Sequence, residues 1–194
     1  MFKKTILATS VAVLALGSVS AMASDVGLIT FDGAVTDTTC VITSNNGVDA
    51  NNVTLTLPVV KKADVEGTTV DAGVGSKEFE LHLSKCPESL TKASATFTSQ
   101  QFAELSNGTL KADPTVAGHA NNVALALYNN SSTSTDRIKV GQPSNNTQKA
   151  TLTAGTGTLA YRVAYVPAAN WVATTNPVSA GKVSSNVTFT MTYE

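Results

Sequence analysis

The residues of this 194-residue chain whose types could do chemistry are two cysteines, two histidines and scattered carboxylates. Cys40 and Cys86 stand far apart, there is no C-x-x-C pair, and His82 and His119 are the only histidines. That set lacks the ligand spacing of a structural or catalytic zinc site. His82 alternates with Phe79, Leu81 and Leu83, which puts it on the solvent face of a strand. Asp64 and Glu66 lie in a polar stretch and read as solvated loop carboxylates. The run Gly155-Thr156-Gly157-Thr158-Leu159-Ala160 imitates a G-x-G-x-x-A fingerprint. A dinucleotide site needs a strand before that run and a helix after it. Here an alternating strand follows, so the run reads as a hairpin. No G-x-S-x-G elbow accompanies the many serines. Trp171 and Tyr165 read as core or edge aromatics rather than as a sugar-stacking platform. These residues assign no catalytic, metal or cofactor site, and the expectation is a protein that is not an enzyme.

The elements that would position a site of another kind follow from composition and pattern. Hydrophobic residues make up 42% of the chain and charged ones 14%, against about 25% charged in ordinary soluble domains. The net charge of −1 with no basic cluster excludes the electrostatic footprint of a nucleic-acid binder and a polybasic membrane patch. Residues 1–23 read as a secretory signal peptide. Lys3 and Lys4 precede an apolar run at 6–16, and Ala21-Met22-Ala23 supplies the small residues for a cut between Ala23 and Ser24. Removal of Lys3 and Lys4 takes the net charge from −1 to −3. Export makes a single Cys40–Cys86 disulfide the simplest reading of the cysteines. Its closed loop is worth about 4 kcal/mol on the chain-entropy model.

The remaining chain alternates with period two. The apolar stripes are Val53, Leu55, Leu57; Phe79, Leu81, Leu83; Val123, Leu125, Leu127; Ile138, Val140; Leu159, Tyr161, Val163, Tyr165; and Val187, Phe189, Met191, Tyr193. Such stripes, rich in Val, Thr and aromatics, are half-buried strands. Asn45-Asn46-Gly47, Asn107-Gly108, Asn129-Asn130 and Gly155-Thr156-Gly157 supply turns between them. Residues 99–105 are the only helix candidate. The pattern predicts one all-β sandwich of Greek-key type with no linker that divides it.

Its two ends do not balance. Gly27, Ile29, Phe31, Gly33 and Val35 share one face of an extended segment just after the cleavage site, where free termini are usually polar and frayed. At the other end Val187, Phe189, Met191 and Tyr193 run up to Glu194. If that last strand belongs to the core, no residues remain to flank it. An unpaired edge and an apolar groove would then stand beside it. A strand supplied by another molecule would answer both ends at once, a case of β-strand addition.

With these residues in view the chain resembles the type 1 fimbrial family of chaperone–usher pilins. Gly27-x-Ile29-x-Phe31-x-Gly33-x-Val35 before Cys40 resembles the family's donor segment. Phe79 through Cys86 resembles the strand that carries its second cysteine. Gly181, Val187, Phe189, Met191 and penultimate Tyr193 resemble the β-zipper that the periplasmic chaperone reads. The resemblance implies an incomplete immunoglobulin-like sandwich of six strands that lacks the final one, with a donor extension at 24–36 and the domain at 37–194. It implies capture by a periplasmic chaperone and donor-strand exchange at the outer-membrane usher. The product is a head-to-tail fimbria of neighbouring subunits on the bacterial surface that supports adhesion, with no cofactor and no nucleic acid. The alternatives are a minor or adaptor pilin of the same filament and a self-contained secreted carbohydrate-binding sandwich.

Overall fold

The computed structural model describes residues 39–45, 47, 49–50, 53–142 and 146–194. The leader, the cut at Ala23 and Ser24, and the expected donor residues Gly27, Ile29, Phe31, Gly33 and Val35 lie outside the described residues. In chain order the elements are β1 (Val41–Ser44), α1 (Lys62–Glu66), β2 (Val74–Ser84), β3 (Lys92–Thr98), β4 (Ala103–Glu104), β5 (Thr109–Lys111), β6 (Val123–Asn129), β7 (Arg137–Ile138), β8 (Ala150–Thr151), β9 (Gly157–Pro167) and β10 (Thr188–Tyr193). One antiparallel sheet has the order β1-β2-β9-β6-β5-β4, with β7 also on β6. The second has the order β10-β3-β8.

The alternation in the sequence explains the two layers. Phe79, Leu81 and Leu83 of β2 and Leu159, Tyr161 and Val163 of β9 point inward, while Glu80 and His82 stay half-exposed. Ala93, Ala95 and Phe97 of β3 meet them from the other sheet in one core cluster. Phe97 stands edge-on to Phe79 and to Tyr161, with ring centroids 6.5 and 4.9 Å apart, the arrangement aromatic quadrupoles favour. Strand β6 is buried on both faces. Leu125 and Leu127 enter the main core, whereas Ala124, Ala126 and Tyr128 form a second cluster with Ala164 and Val166. The Tyr128 hydroxyl donates to the Val70 carbonyl at 2.7 Å, and the Arg162 guanidinium lies 3.7 Å above the Tyr128 ring. The turn before β2 thus closes that outer face. Gly73 makes the closure possible: its φ is +66°, and a Cβ there would stand 2.6 Å from the Ala164 Cβ.

The architecture is all-β, as expected, with three local differences. Among the described residues the ladders comprise ten segments rather than six, because β4, β5, β7 and β8 are pieces of two or three residues. The helix candidate at 99–105 is a turn followed by β4: the Ser99 hydroxyl accepts the Phe102 N–H at 3.1 Å, and Phe102 is buried. Asp64 and Glu66 lie in the short helix α1 rather than in a loop. Val65 is its buried residue, and Glu66 accepts the Val178 N–H at 3.0 Å.

The disulfide joins Cys40, just before β1, to Cys86, just after β2. The Cys86 N–H donates to the Gly155 carbonyl at 3.0 Å. This anchors the 153–156 turn, whose Gly155 has a φ of +70°. The turn leads directly into β9, so the G-x-G run is a hairpin, as read from the sequence.

Candidate assembly groove

Strand β10 pairs with β3 from Thr188↔Thr98 to Tyr193↔Ala93. On its other side no described strand pairs with it. Its side chains alternate in exposure without one being fully buried. Thr188, Thr190 and Thr192 face solvent, while Phe189, Met191 and Tyr193 are half-buried against the main core. The alternation extends back along the chain through half-buried Val183, Ser185 and Val187. Central strands of a finished sandwich bury such residues completely, as β9 does here. The partial burial of β10 sets it apart from those strands.

A second segment shares that character. Residues 53–60 are extended, with Val53, Leu55 and Leu57 half-buried against the same core and Thr54, Thr56 and Pro58 less covered or exposed on the alternate face. Among the described residues none of their backbone N–H or C=O groups has a backbone partner. Buried or half-buried backbone rarely remains so. Two extended segments whose edges lack a backbone partner among the described residues therefore rest apolar stripes on one core. The two segments offer backbone edges and apolar side chains.

Both ends of the site are built from identifiable contacts. At one end Val60 and Val183 pack on a small cluster of Val65, Ala120, Val123 and Val178, joined by Trp171 and Tyr165. The two aromatics are therefore packing residues. The Trp171 Nε1 and the Ser185 Oγ are buried there without a hydrogen-bond partner among the described residues. Gly181 lies just before this stretch. A Cβ on it would meet the Ala120 nitrogen at 2.5 Å and the Gly118 oxygen at 2.7 Å. The close approach lets the Lys182 N–H reach the Gly118 carbonyl and the Ala120 N–H reach the Lys182 carbonyl, both at 2.8 Å.

At the other end Glu194 is held in place. Its N–H donates to the Lys92 carbonyl at 2.9 Å, and its own carbonyl accepts the N–H groups of Thr91 and Lys92 at 2.6 and 3.0 Å. Its carboxylate bonds Lys149, which lowers that carboxyl's pKa from the usual value. Burial raises the Tyr193 phenol pKa. Because Thr91 and Lys92 follow Cys86 closely, β10 ends on the same side of the sandwich as the disulfide.

Val187, Phe189, Met191 and Tyr193 thus share one face, as their spacing requires. Gly181 stands outside that stripe and serves the backbone crossing. The facing stripe of Val53, Leu55 and Leu57 was legible as a strand, but its role as an open wall was not. The one available signal was an alternating run that ends at Pro58 with no turn returning it to a partner.

The described residues form a β-sandwich whose candidate site offers strand edges and apolar stripes. Residues 29–194 match the model of the fimbrial protein family, and the chain belongs to that family. It is 29% identical to the long polar fimbria protein A of Salmonella typhimurium over 195 residues, covering 100% of this chain and 98% of that one. It is 30% identical to the probable major fimbrial subunit LpfA of Escherichia coli O157:H7, over 99% of this chain and 97% of the relative. It is 31% identical to the major fimbrial subunit SMF-1 of Stenotrophomonas maltophilia, over 93% and 99%. Among solved structures, the CupB6 tip adhesin of Pseudomonas aeruginosa shares the fold with a TM-score of 0.50 at 15% identity. That match covers 66% of this chain and 32% of the adhesin. The protein is a structural subunit of the fimbrial family, whose members build surface pili from pilin subunits.

Proposed function

We propose that the open position between residues 53–60 and β10 receives the 24–36 extension of a second copy, and that the chain polymerises in this way into a fimbria. The observation that carries the reading is the pair of apolar-faced backbone edges over a single core that have no partner among the described residues. The sequence offers an apolar stripe to match them, Ile29, Phe31 and Val35. Each of those side chains contributes roughly 1.5–3 kcal/mol on full burial. Gly27 and Gly33 keep register where a groove leaves no depth for a side chain. On the order of ten ladder hydrogen bonds, at roughly 1 kcal/mol net each, would satisfy the open edges.

An antiparallel donor fits a filament best. The extension is joined to its own domain through Cys40, whose disulfide lies at the end where β10 finishes. A donor parallel to β10 would bring two such ends together and stop at a pair. A donor antiparallel to β10 sets the disulfide end of one copy over the Val183 end of the next. That contact is heterologous, repeats without closing, and yields a filament.

Before assembly a periplasmic chaperone covers the groove through Val187, Phe189, Met191 and Tyr193, with Gly181 setting the strand's approach, and an outer-membrane usher exchanges it for the donor. Residues 1–23 direct the export that this route needs. Surface-sheared protein tests the reading. Unboiled samples should run as a ladder on a denaturing gel and collapse on boiling to one band near the mature mass. Deletion of 24–36 should abolish the ladder, and a ladder that survives the deletion would overturn the reading.

A further inference from the structure

Charge is unevenly placed along the proposed groove and its donor. Residues 24–39 carry Asp25, Asp32 and Asp37 and no lysine or arginine. At the Val183 end of the groove, Lys61 directly follows Val60 on one wall and Lys182 directly precedes Val183 on the other, and both lysines are exposed. Val60 and Val183 pack on the same small cluster, so the two lysines flank one mouth. Among the described residues neither lysine forms a salt bridge. The acids nearby in the chain are mostly engaged: Glu66 with Lys62 at 3.5 Å and with the Val178 N–H, and Asp113 with the Thr115 N–H and hydroxyl at 2.8 and 2.7 Å. Asp64 lies in the first turn of α1.

We infer that Lys61 and Lys182 form a cationic collar at the groove mouth that receives Asp37 of the incoming copy. The inference rests on the donor-strand reading above, and it adds the residues that steer and seat the donor. Val35 is the last apolar residue of the donor stripe, and only residues 36–39 separate it from Cys40. A tether that short spans at most about 17 Å between Val35 and Cys40. The donor's disulfide end must therefore sit close to the mouth. Asp37 follows Val35 by two residues, about 7 Å along an extended chain. It is the first charge beyond the stripe, and it falls where flexible lysine side chains reach. Opposite charges at a mouth raise the rate of encounter more than final affinity, and salt screens them.

The test uses the full mature chain and follows filament growth from purified monomer at low and high salt. Asp37→Lys, and separately the pair Lys61→Glu with Lys182→Glu, should each slow growth about tenfold at low salt, with the deficit shrinking as salt rises. All three reversals together should restore the low-salt rate, a rescue that mere loss of fold would not give. Growth unchanged by the reversals, or slowed with no rescue, overturns the collar. Phe31→Asp is the companion variant. Loss of growth in Phe31→Asp alongside normal growth in the charge reversals overturns the collar and leaves donor exchange standing. Growth that persists in Phe31→Asp overturns both.

Discussion

Tyr161 has none of its surface exposed, and its ring is wedged between Phe79 and Phe97. Burial drives its phenol pKa up to about 12, opposed only by the Asn146 amide near its hydroxyl. Tyr128, beneath the 69–73 turn, is likewise pushed up to about 12 by burial. The unfolded chain gives up these protons near pH 10, whereas the folded one holds them. Stability is therefore full below about pH 10 and falls as pH rises toward 12, by at most about 1.4 kcal/mol per pH unit for each phenol. Tyr161→Phe removes one of the two protons and sacrifices only the 3.4 Å contact with Asn146. Urea midpoints at pH 8 should differ little between the variant and the wild type, while the fall between pH 10 and 12 should be visibly shallower in the variant. Tyr128→Phe is a poorer probe, since it leaves the Val70 carbonyl without the hydroxyl it accepts from. The stripe Leu159, Tyr161, Val163 announced Tyr161 as inward-facing. Nothing in that stripe announced Tyr128, because its cover comes from residues 58 positions away.

The alternating stripes located β2, β6, β9 and β10, because one buried face forces a period of two, but they did not mark β3, whose inward residues are Ala93, Ala95 and Phe97. They did not separate a strand that pairs from one that only lies on the core. Val53, Leu55 and Leu57 follow the same rule as Phe79, Leu81 and Leu83, yet the second run sits in a ladder and the first pairs with no described strand. Pairing depends on which backbone edge lies alongside, which side-chain spacing does not encode. The difference has a measurable consequence. Leu55 is half-buried in the isolated domain and would become fully buried only under an added strand. Full truncation of a buried leucine costs about 2–5 kcal/mol. Leu55→Ala should therefore lower the temperature at which assembled protein dissociates in detergent more than it lowers the unfolding midpoint of the monomer. Thr56→Ala, on the alternate face, should leave both nearly unchanged. Equal losses in monomer and assembly for Leu55→Ala would mean that nothing is laid over that wall.

At the scale of the molecule, the proposed donor-strand assembly gives the two ends of the chain separable tasks, and that separation predicts how filaments respond to defective subunits. The donor stripe is read from sequence alone, because its unpaired apolar face conflicts with the usual polarity of a free terminus. The acceptor had to be seen in three dimensions, since its walls come from residues more than 100 positions apart and only their common core unites them. A full-length subunit carrying Ile29→Asp and Phe31→Asp keeps an intact groove and cannot fill another. It should accept one donor and then end the chain. Because the contact is heterologous and has one direction, such subunits cap growth rather than poison the whole pool. Mixing one capper with ten normal subunits should hold mean filament length to about ten subunits, scaling inversely with the capper fraction. Electron microscopy of the mixture reads this directly. The opposite defect, Phe189→Asp, damages the groove and spares the donor, so it should terminate filaments at the other end. A mixture of the two defective subunits should then give pairs, with the intact donor of one seated in the intact groove of the other. Longer chains from that mixture would require a contact other than strand addition.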